Sequence, residues 1–377
     1  MGSTLKKISF ISGTRADYGK IKPLISSVAD SKIFHSEIIA TGMHLLADYG
    51  MTVGEIRKDA ICPVKEIHNF AQGVSHDIAL ANTIVGLSHW YEESVPDAIV
   101  VHGDRIEALA GAIVGAMKNI RVIHIEGGEL SGTIDGVLRH AITKLSHLHF
   151  VANENARQRV LQLGEQKDSV FIIGSPDLDI LASKDLPDLL EVKAHYELDF
   201  DNFGILIFHP VTTELNQLEC QIASLIEALT QSKENIVIID PNNDHGSEII
   251  RQAYKKLAQH PRYRRFPSIR FEYFLTLLKN SKFIIGNSSA GVREAPFYGV
   301  PSINIGNRQR GRAKSSSIIH SGFDSAEILS FIREIRNVRF SQSTEFGDGQ
   351  SSAKFLDVLS KPEIWKISID KIFSDTD

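Results

Sequence analysis

Four carboxylates, Asp104, Glu126, Glu129 and Asp135, crowd the stretch VHGDRIEALAGAIVGAMKNIRVIHIEGGELSGTIDGVLR between Val101 and Arg139. Two apolar runs in it, Asp97 to Val101 and Arg121 to Ile125, stop at HGDR and at EGGE. If both are buried parallel strands, Asp104 and Glu126 lie at carboxyl ends, where open α/β sheets hold their ligands. Carboxylates gathered in a cleft repel one another, so their pKa values separate and an acid and a base coexist near neutral pH. That is equipment for proton transfer. The alternative is an ion-pair network, with Asp104 paired to Arg105 or Arg139 and Glu126 capping a helix.

Other segments carry the residue types of anion binding. Gly13-Thr14-Arg15-Ala16-Asp17-Tyr18-Gly19-Lys20 opens a helix after the first apolar run, so backbone N–H groups with Arg15 and Lys20 could hold a phosphate. It is not a Walker A loop, because Ile21 stands where the Ser or Thr for magnesium would be. GNSSAGVREAP, residues 286 to 296, is a second Gly- and Ser-rich turn. Its hydroxyls and backbone donors suit a diphosphate and Glu294 suits a ribose, although Ser288 or Ser289 serves equally well as an N-cap. Arg308, Arg310 and Arg312 could clamp phosphate or form a solvated basic loop, and His209 ends its strand abruptly before Pro210. His147 and His149 lack a third placed ligand, so no metal is expected.

The elements that must position these residues alternate. Strands are expected at Ile8 to Ser12, Glu37 to Thr41, and around Ala98, Val122 and His149, separated by helices that include Glu107 to Met117 and Gly136 to His147. A second alternation follows a Pro- and Asp-rich boundary, with strands at 204–209, 235–240, 282–285 and 301–305. This βαβ order predicts two Rossmann-like domains, 1–185 and 186–361.

Composition narrows the class. With 42% hydrophobic and 23% charged residues over 377 positions, the chain is expected to be globular. A net charge of -5 without a polybasic run argues against nucleic acid or an anionic membrane as partner. Cys62 and Cys220 lack CxxC spacing, no apolar run reaches membrane-span length, and a cytoplasmic enzyme is the expectation.

In order along the chain stand GTRADYGK, TGMH, HGDR, HIEGGELSGTID with RHAITKLSH, IGSPDLD, FHPVTTE, PNNDHGSE, GNSSAGVREAP and RQRGR. Together they resemble the hydrolysing UDP-N-acetylglucosamine 2-epimerases of sialic-acid biosynthesis. The resemblance implies a glycosyltransferase-B-like arrangement of the two domains with the active site in the interdomain cleft, and a C-terminal helix over 362–377 that returns to the first domain. The reaction implied is UDP-GlcNAc and water to ManNAc and UDP through 2-acetamidoglucal, with no cofactor and no metal. Asp104, Glu126 and Asp135 would be the acid/base residues, with Arg139 orienting Asp135 and His209 near the sugar–diphosphate junction. Arg15, Lys20, Ser288 and Ser289 would neutralise the diphosphate and Glu294 hold the ribose, while Asn243 contacts ligand and Phe271 packs near uracil. His44, Arg105, Gly291, Arg308 and Arg312 complete the implied UDP-sugar contacts. A homodimer or tetramer is implied as well. Non-hydrolysing relatives read EAGLRTGD-like where this chain reads EGGELSGTID, which favours the hydrolysing branch. Enzymes acting on UDP-2,4-diacetamido-2,4,6-trideoxyhexoses share the frame, so that substrate stays open, as do a non-hydrolysing epimerase, a UDP-sugar-dependent glycosyltransferase and a UDP-sugar-binding regulator.

Overall fold

A computed structural model of the chain describes residues 5–69, 74–130, 134–211, 213–241 and 246–375, apart from the side chain of Asp48. Two compact units are present: Met1–Ala182 with Phe346–Asp377, and Ser183–Glu345.

In the N-terminal unit the order is β1 (Lys6–Ser12), α1 (Arg15–Ser31), β2 (Phe34–Ala40), α2 (Val53–Asp59), β3 (Val64–Glu66), α3 (His76–Glu93), β4 (Ala98–His102) and α4 (Ile106–Met117). It continues with β5 (Arg121–Ile125), α5 (Ile134–Leu145), β6 (Leu148–Val151), α6 (Glu154–Gln162), β7 (Val170–Ile172) and α7 (Asp177–Leu181). The seven strands form one parallel sheet in the order β3-β2-β1-β4-β5-β6-β7. β4 and β5 are buried along their whole length, as parallel strands covered by helices on both faces must be. Strand order reverses between β1 and β4, which opens a crevice at their carboxyl ends. The register pairs His102 with Ile125, so Glu126 emerges beside the end of β4.

In the C-terminal unit α8 (Leu189–His195) precedes β8 (Gly204–Ile207), α9 (Leu218–Ser232), β9 (Ile236–Ile239), α10 (Ser247–Leu257), β10 (Tyr263–Phe266), α11 (Phe271–Asn280) and β11 (Ile284–Gly286). Then come α12 (Glu294–Phe297), β12 (Ser302–Ile305), β13 (Ile318–Ser321) and α13 (Ser325–Ile335). Its parallel sheet has the order β10-β9-β8-β11-β12-β13, with the reversal between β8 and β11.

The domain boundaries differ from those expected. The chain rejoins the N-terminal unit at Phe346, not at 362, and the helix that returns is α14 (Ser351–Leu359). Phe355 explains this, since its ring meets that of Phe150 edge-to-face with centroids 4.8 Å apart and lies among Phe10 and Ile8 in the core beneath the first sheet. Asp179 caps the helix from afar, its two carboxylate oxygens accepting from the N–H groups of Ser351 and Ser352 at 2.7 Å each. Pro362–Lys366 is only a short 3₁₀ turn, and 367–375 contains no helix. Among the described residues no helix is long and apolar enough to cross a membrane.

Candidate active site

At the N-terminal crevice, polar side chains form a continuous line across the carboxyl ends of β2, β1, β4 and β5. His44, fully buried, contacts Thr52 Oγ1 through Nδ1 at 2.8 Å and Ser12 Oγ through Nε2 at 3.0 Å. Ser12 Oγ donates to Asp17 Oδ2 at 2.7 Å, so the proton between His44 and Ser12 belongs to His44 Nε2. Asp17 Oδ1 accepts from His102 Nδ1 at 2.7 Å, and His102 Nε2 lies 3.2 Å from Glu126 Oε2. Burial pushes His44 down to about 4, so it is a neutral structural member of this line. Burial also works against a charged His102, but the hydrogen bonds and charges of Asp17 and Glu126 outweigh it and push its pKa up to about 9. Asp17 is held below the usual carboxylate range: its burial is overcome by the hydrogen bond and charge of His102 and by the Ser12 hydroxyl.

Glu126 is held from every side. Its backbone lies in the left-handed region at φ +63°, an uncommon conformation for a residue with a side chain. Its N–H donates to Phe150 O at 2.9 Å, its carbonyl accepts from Arg139 Nη1 at 2.6 Å, and Ser175 Oγ donates to Oε1. Arg139, buried on α5, also donates through Nη2 to Asp104, whose side chain keeps 24% of its exposure. One guanidinium therefore links the ends of β4 and β5. Asp135 stands exposed on the first turn of the same helix, while the guanidinium turns inward to Asp104 and Glu126. Of the other carboxylates, Glu129 is buried.

Arg105 stands at the cap position of α4, and its Nε donates to Glu107 at 3.2 Å. Glu107 is 1% exposed and presses against two glycines: a Cβ on Gly13 or Gly42 would come within 2.6 and 2.4 Å of its carboxyl group. The loops after β1 and β2 thus close around this glutamate. Arg15 pairs with Glu55 at 3.0 Å on the surface, and Lys20 with the buried Asp177 at 3.3 Å. His147 and His149 serve structure, His147 Nδ1 accepting from Val122 N and His149 contacting Glu165.

In the C-terminal unit the crevice between β8 and β11 is bridged by an amide. Asn287, 1% exposed, accepts from the His209 N–H at 2.7 Å and donates back to the His209 carbonyl at 2.8 Å. Gly286 precedes it at φ +133°, where a Cβ would lie 1.9 Å from Ile207 O, so only glycine lets β11 approach β8 here. The Asn287 carbonyl accepts from Arg308 Nη1 at 3.0 Å and Gln309 Nε2 at 3.1 Å, and Arg312 Nη1 donates to Gln309 at 2.8 Å. Both arginines are therefore anchored to the loop framework. Ser288 accepts from Ala290 N at 3.3 Å, which is the capping role foreseen as its alternative. Ser289 is half-buried, Gly291 packs against Ser302, and Glu294 is buried at the start of α12. Phe271 is half-buried at the first position of α11, and Asn243 lies outside the described residues.

Asp17, His102, Ser175, Glu107 and Asn287 were not singled out from the sequence. All five lie inside or beside its motifs, GTRADYGK, HGDR, IGSPDLD and GNSSAGVREAP. The usable signal was position: each falls within about one turn of a strand's carboxyl end.

A family model described as UDP-N-acetylglucosamine 2-epimerase matches residues 26–360. The UDP-N-acetylglucosamine 2-epimerase of Neisseria meningitidis serogroup B is 46% identical over 375 residues, covering 98% of this chain and 99% of its own. The UDP-N,N'-diacetylbacillosamine 2-epimerase (hydrolyzing) of Legionella pneumophila is 36% identical over 361 residues, 94% of this chain and 96% of its own. A crystal structure of UDP-GlcNAc 2-epimerase from Neisseria meningitidis bound to UDP-GlcNAc matches with a TM-score of 0.80 at 18% identity, covering 94% of this chain and 99% of that one. At that identity the likeness is one of fold, two parallel sheets with alternating helices of the glycosyltransferase-B type.

Proposed function

The chain belongs to the UDP-N-acetylglucosamine 2-epimerase family, and we propose that it is a hydrolysing member that converts UDP-GlcNAc and water to ManNAc and UDP. The observation that carries this reading is the pair of carboxylates at adjacent strand ends, Asp104 and Glu126, with one guanidinium, that of Arg139, holding the Asp104 carboxylate and the Glu126 main-chain carbonyl. In the reaction a carboxylate takes the C2 proton as the C1–O bond to UDP breaks, leaving 2-acetamidoglucal. Water then adds at C1 and a proton returns to C2 from the opposite face. Elimination of a poorly acidic proton needs a base and charge stabilisation for the leaving group. Asp104, Glu126 and Asp135 are the acid/base set, and His209 lies near the sugar–diphosphate junction.

The nucleotide contacts belong to Ser288, Ser289, Gly291, Glu294, Arg308 and Arg312, with Phe271 near uracil. Arg15 and Lys20 supply charge toward the diphosphate, with His44 and Arg105 around them. An exposed pair such as Arg15–Glu55 is worth about 0–1 kcal/mol, so a phosphate can displace Glu55 at little cost. Lys20 can keep Asp177 and still offer an N–H, because an ammonium has three. Support for the hydrolysing branch comes from EGGELSGTID and from the 36% identity to a relative whose name carries that reaction. The product would enter sialic-acid synthesis in the cytoplasm, and the working form would be a homodimer or tetramer.

Incubation with UDP-GlcNAc in D₂O, followed by proton NMR, should yield free UDP and ManNAc deuterated at C2. Recovery of UDP-ManNAc, or no turnover, would defeat the reading. The Legionella relative favours a second substrate, the UDP-diacetamido-trideoxyhexose, and a competition assay between the two sugars distinguishes them.

A further inference from the structure

We propose that His102 is a positioning residue for Glu126: gripped at Nδ1 by Asp17, the imidazolium holds the Glu126 carboxylate in its reactive orientation through Nε2. The proposal rests on the acid/base role of Glu126 proposed above, and is independent of which sugar is turned over.

The geometry leaves the ring little choice. His102 is 8% exposed and sits between carboxylate oxygens at 2.7 and 3.2 Å. Asp17 cannot move aside, because Ser12 Oγ at 2.7 Å and the Gly13 N–H at 3.2 Å both donate to its other oxygen. A neutral imidazole has one N–H and cannot face both carboxylates with a donor, whereas the imidazolium carries one on each side: Nδ1 is hydrogen-bonded to Asp17, and Nε2 meets Glu126 as a 3.2 Å charge contact outside hydrogen-bond geometry. On losing a proton the ring keeps the N–H that faces Asp17, the closer and more firmly held acceptor. Nε2 then presents a lone pair to Glu126 Oε2, two acceptors in contact. Glu126 is driven off that contact, and reacting groups displaced by about 1 Å lose rate by about 100-fold.

The charged and titratable groups around His102 are Asp17 from α1, Glu126 after β5 and, acting through Asp17, Arg105 at the head of α4. His44 after β2 and His124 on β5 are held neutral by burial, so the two carboxylates dominate and keep the ring charged up to about pH 9.

Four measurements test this. kcat should fall on the alkaline side with an apparent pKa near 9 while KM changes little. His102→Gln should lower kcat by about 100-fold, because an amide that donates to Glu126 must turn its oxygen on Asp17. Adding Asp17→Asn to that variant lets one introduced amide donate to the other, and the other to Glu126. The double variant should recover at least about tenfold of the loss and have no alkaline limb. A purely structural His102 gives no such rescue and an unchanged pH profile, and either result overturns the proposal. Imidazole ¹⁵N NMR on the unmodified protein decides the matter even if the variants fail to fold. Both ring nitrogens should be protonated at pH 7.5, and a neutral ring overturns the proposal. If no UDP-sugar is turned over, the functional reading fails while the NMR still tests the grip on Glu126.

Discussion

The two units share a strand order at their centres, the first strand beside the fourth, yet they bridge that central pair in opposite ways. In the N-terminal unit the link between β1 and β4 is ionic, Asp17 to His102, and it runs on to Glu126 at the end of β5. In the C-terminal unit the link between β8 and β11 is a neutral amide, Asn287 clamped on the His209 main chain. The same topology opens the same crevice. What differs is whether the crevice is lined with groups that can move a proton or with fixed dipoles that shape a loop. Buried charges carry a heavy desolvation penalty and are tolerated where they are paired, as they are here. A buried amide with both ends satisfied carries much less, and it does not titrate.

The largest effect that sharpens this contrast is expected from Glu126→Gln. Turnover should fall by about two orders of magnitude or more, the size of a lost acid/base contribution, while UDP affinity by calorimetry stays nearly constant. An equal fall in UDP affinity would make Glu126 structural and erase the division between the units. Next comes Asn287→Ala, which strips a donor and an acceptor from the buried His209 main chain. A loss of about 2–3 kcal/mol in denaturant titrations is expected, with UDP binding weakened and kcat at saturation kept. Should kcat collapse instead, the C-terminal crevice would be taking part in the chemistry.

Ser288→Ala separates capping from ligand binding. Loss of the contact with Ala290 N alone costs about 1 kcal/mol of stability. A hydroxyl that also meets the diphosphate should weaken UDP by roughly tenfold, since hydrogen bonds to charged groups are worth about 1.5–3 kcal/mol. Unchanged UDP affinity would leave Ser288 as a cap only.

The smallest change at any one step is expected from pH, which moves single protons. His102 is raised from 6.5 to about 9, so its stabilising contribution is complete below pH 6.5 and is lost as pH rises through 9. His44 is lowered to about 4, so its contribution is present above pH 6.5 and is lost as pH falls through 4. Hydrogen exchange, corrected for its intrinsic pH dependence, should show β1 and β4 loosening at both extremes. β8 and β11, clamped by an amide, should not follow. Parallel loss of protection in both units would break the comparison.

Much of this was legible in the order of the residues. Alternating apolar runs predicted two parallel sheets, and the stops at HGDR and EGGE put Asp104 and Glu126 at strand ends, as found. Short strands such as β3, β7 and β13 carry only three or four residues and too little pattern to stand out. The return of the chain at Phe346 was missed because its cause, Phe355 against Phe150, joins segments far apart in sequence.

The sequence alone determined which residue types stand at each strand's carboxyl end, because strand ends follow from local hydrophobic periodicity. It also determined the family, through motifs in a fixed order. Only the tertiary structure decided partners. Arg139 turned to Asp104 and the Glu126 carbonyl, and His102 came to rest between Asp17 and Glu126. A buried charge pairs with whatever lies within about 4 Å, and that neighbourhood is assembled from separate strands whose register no local pattern encodes.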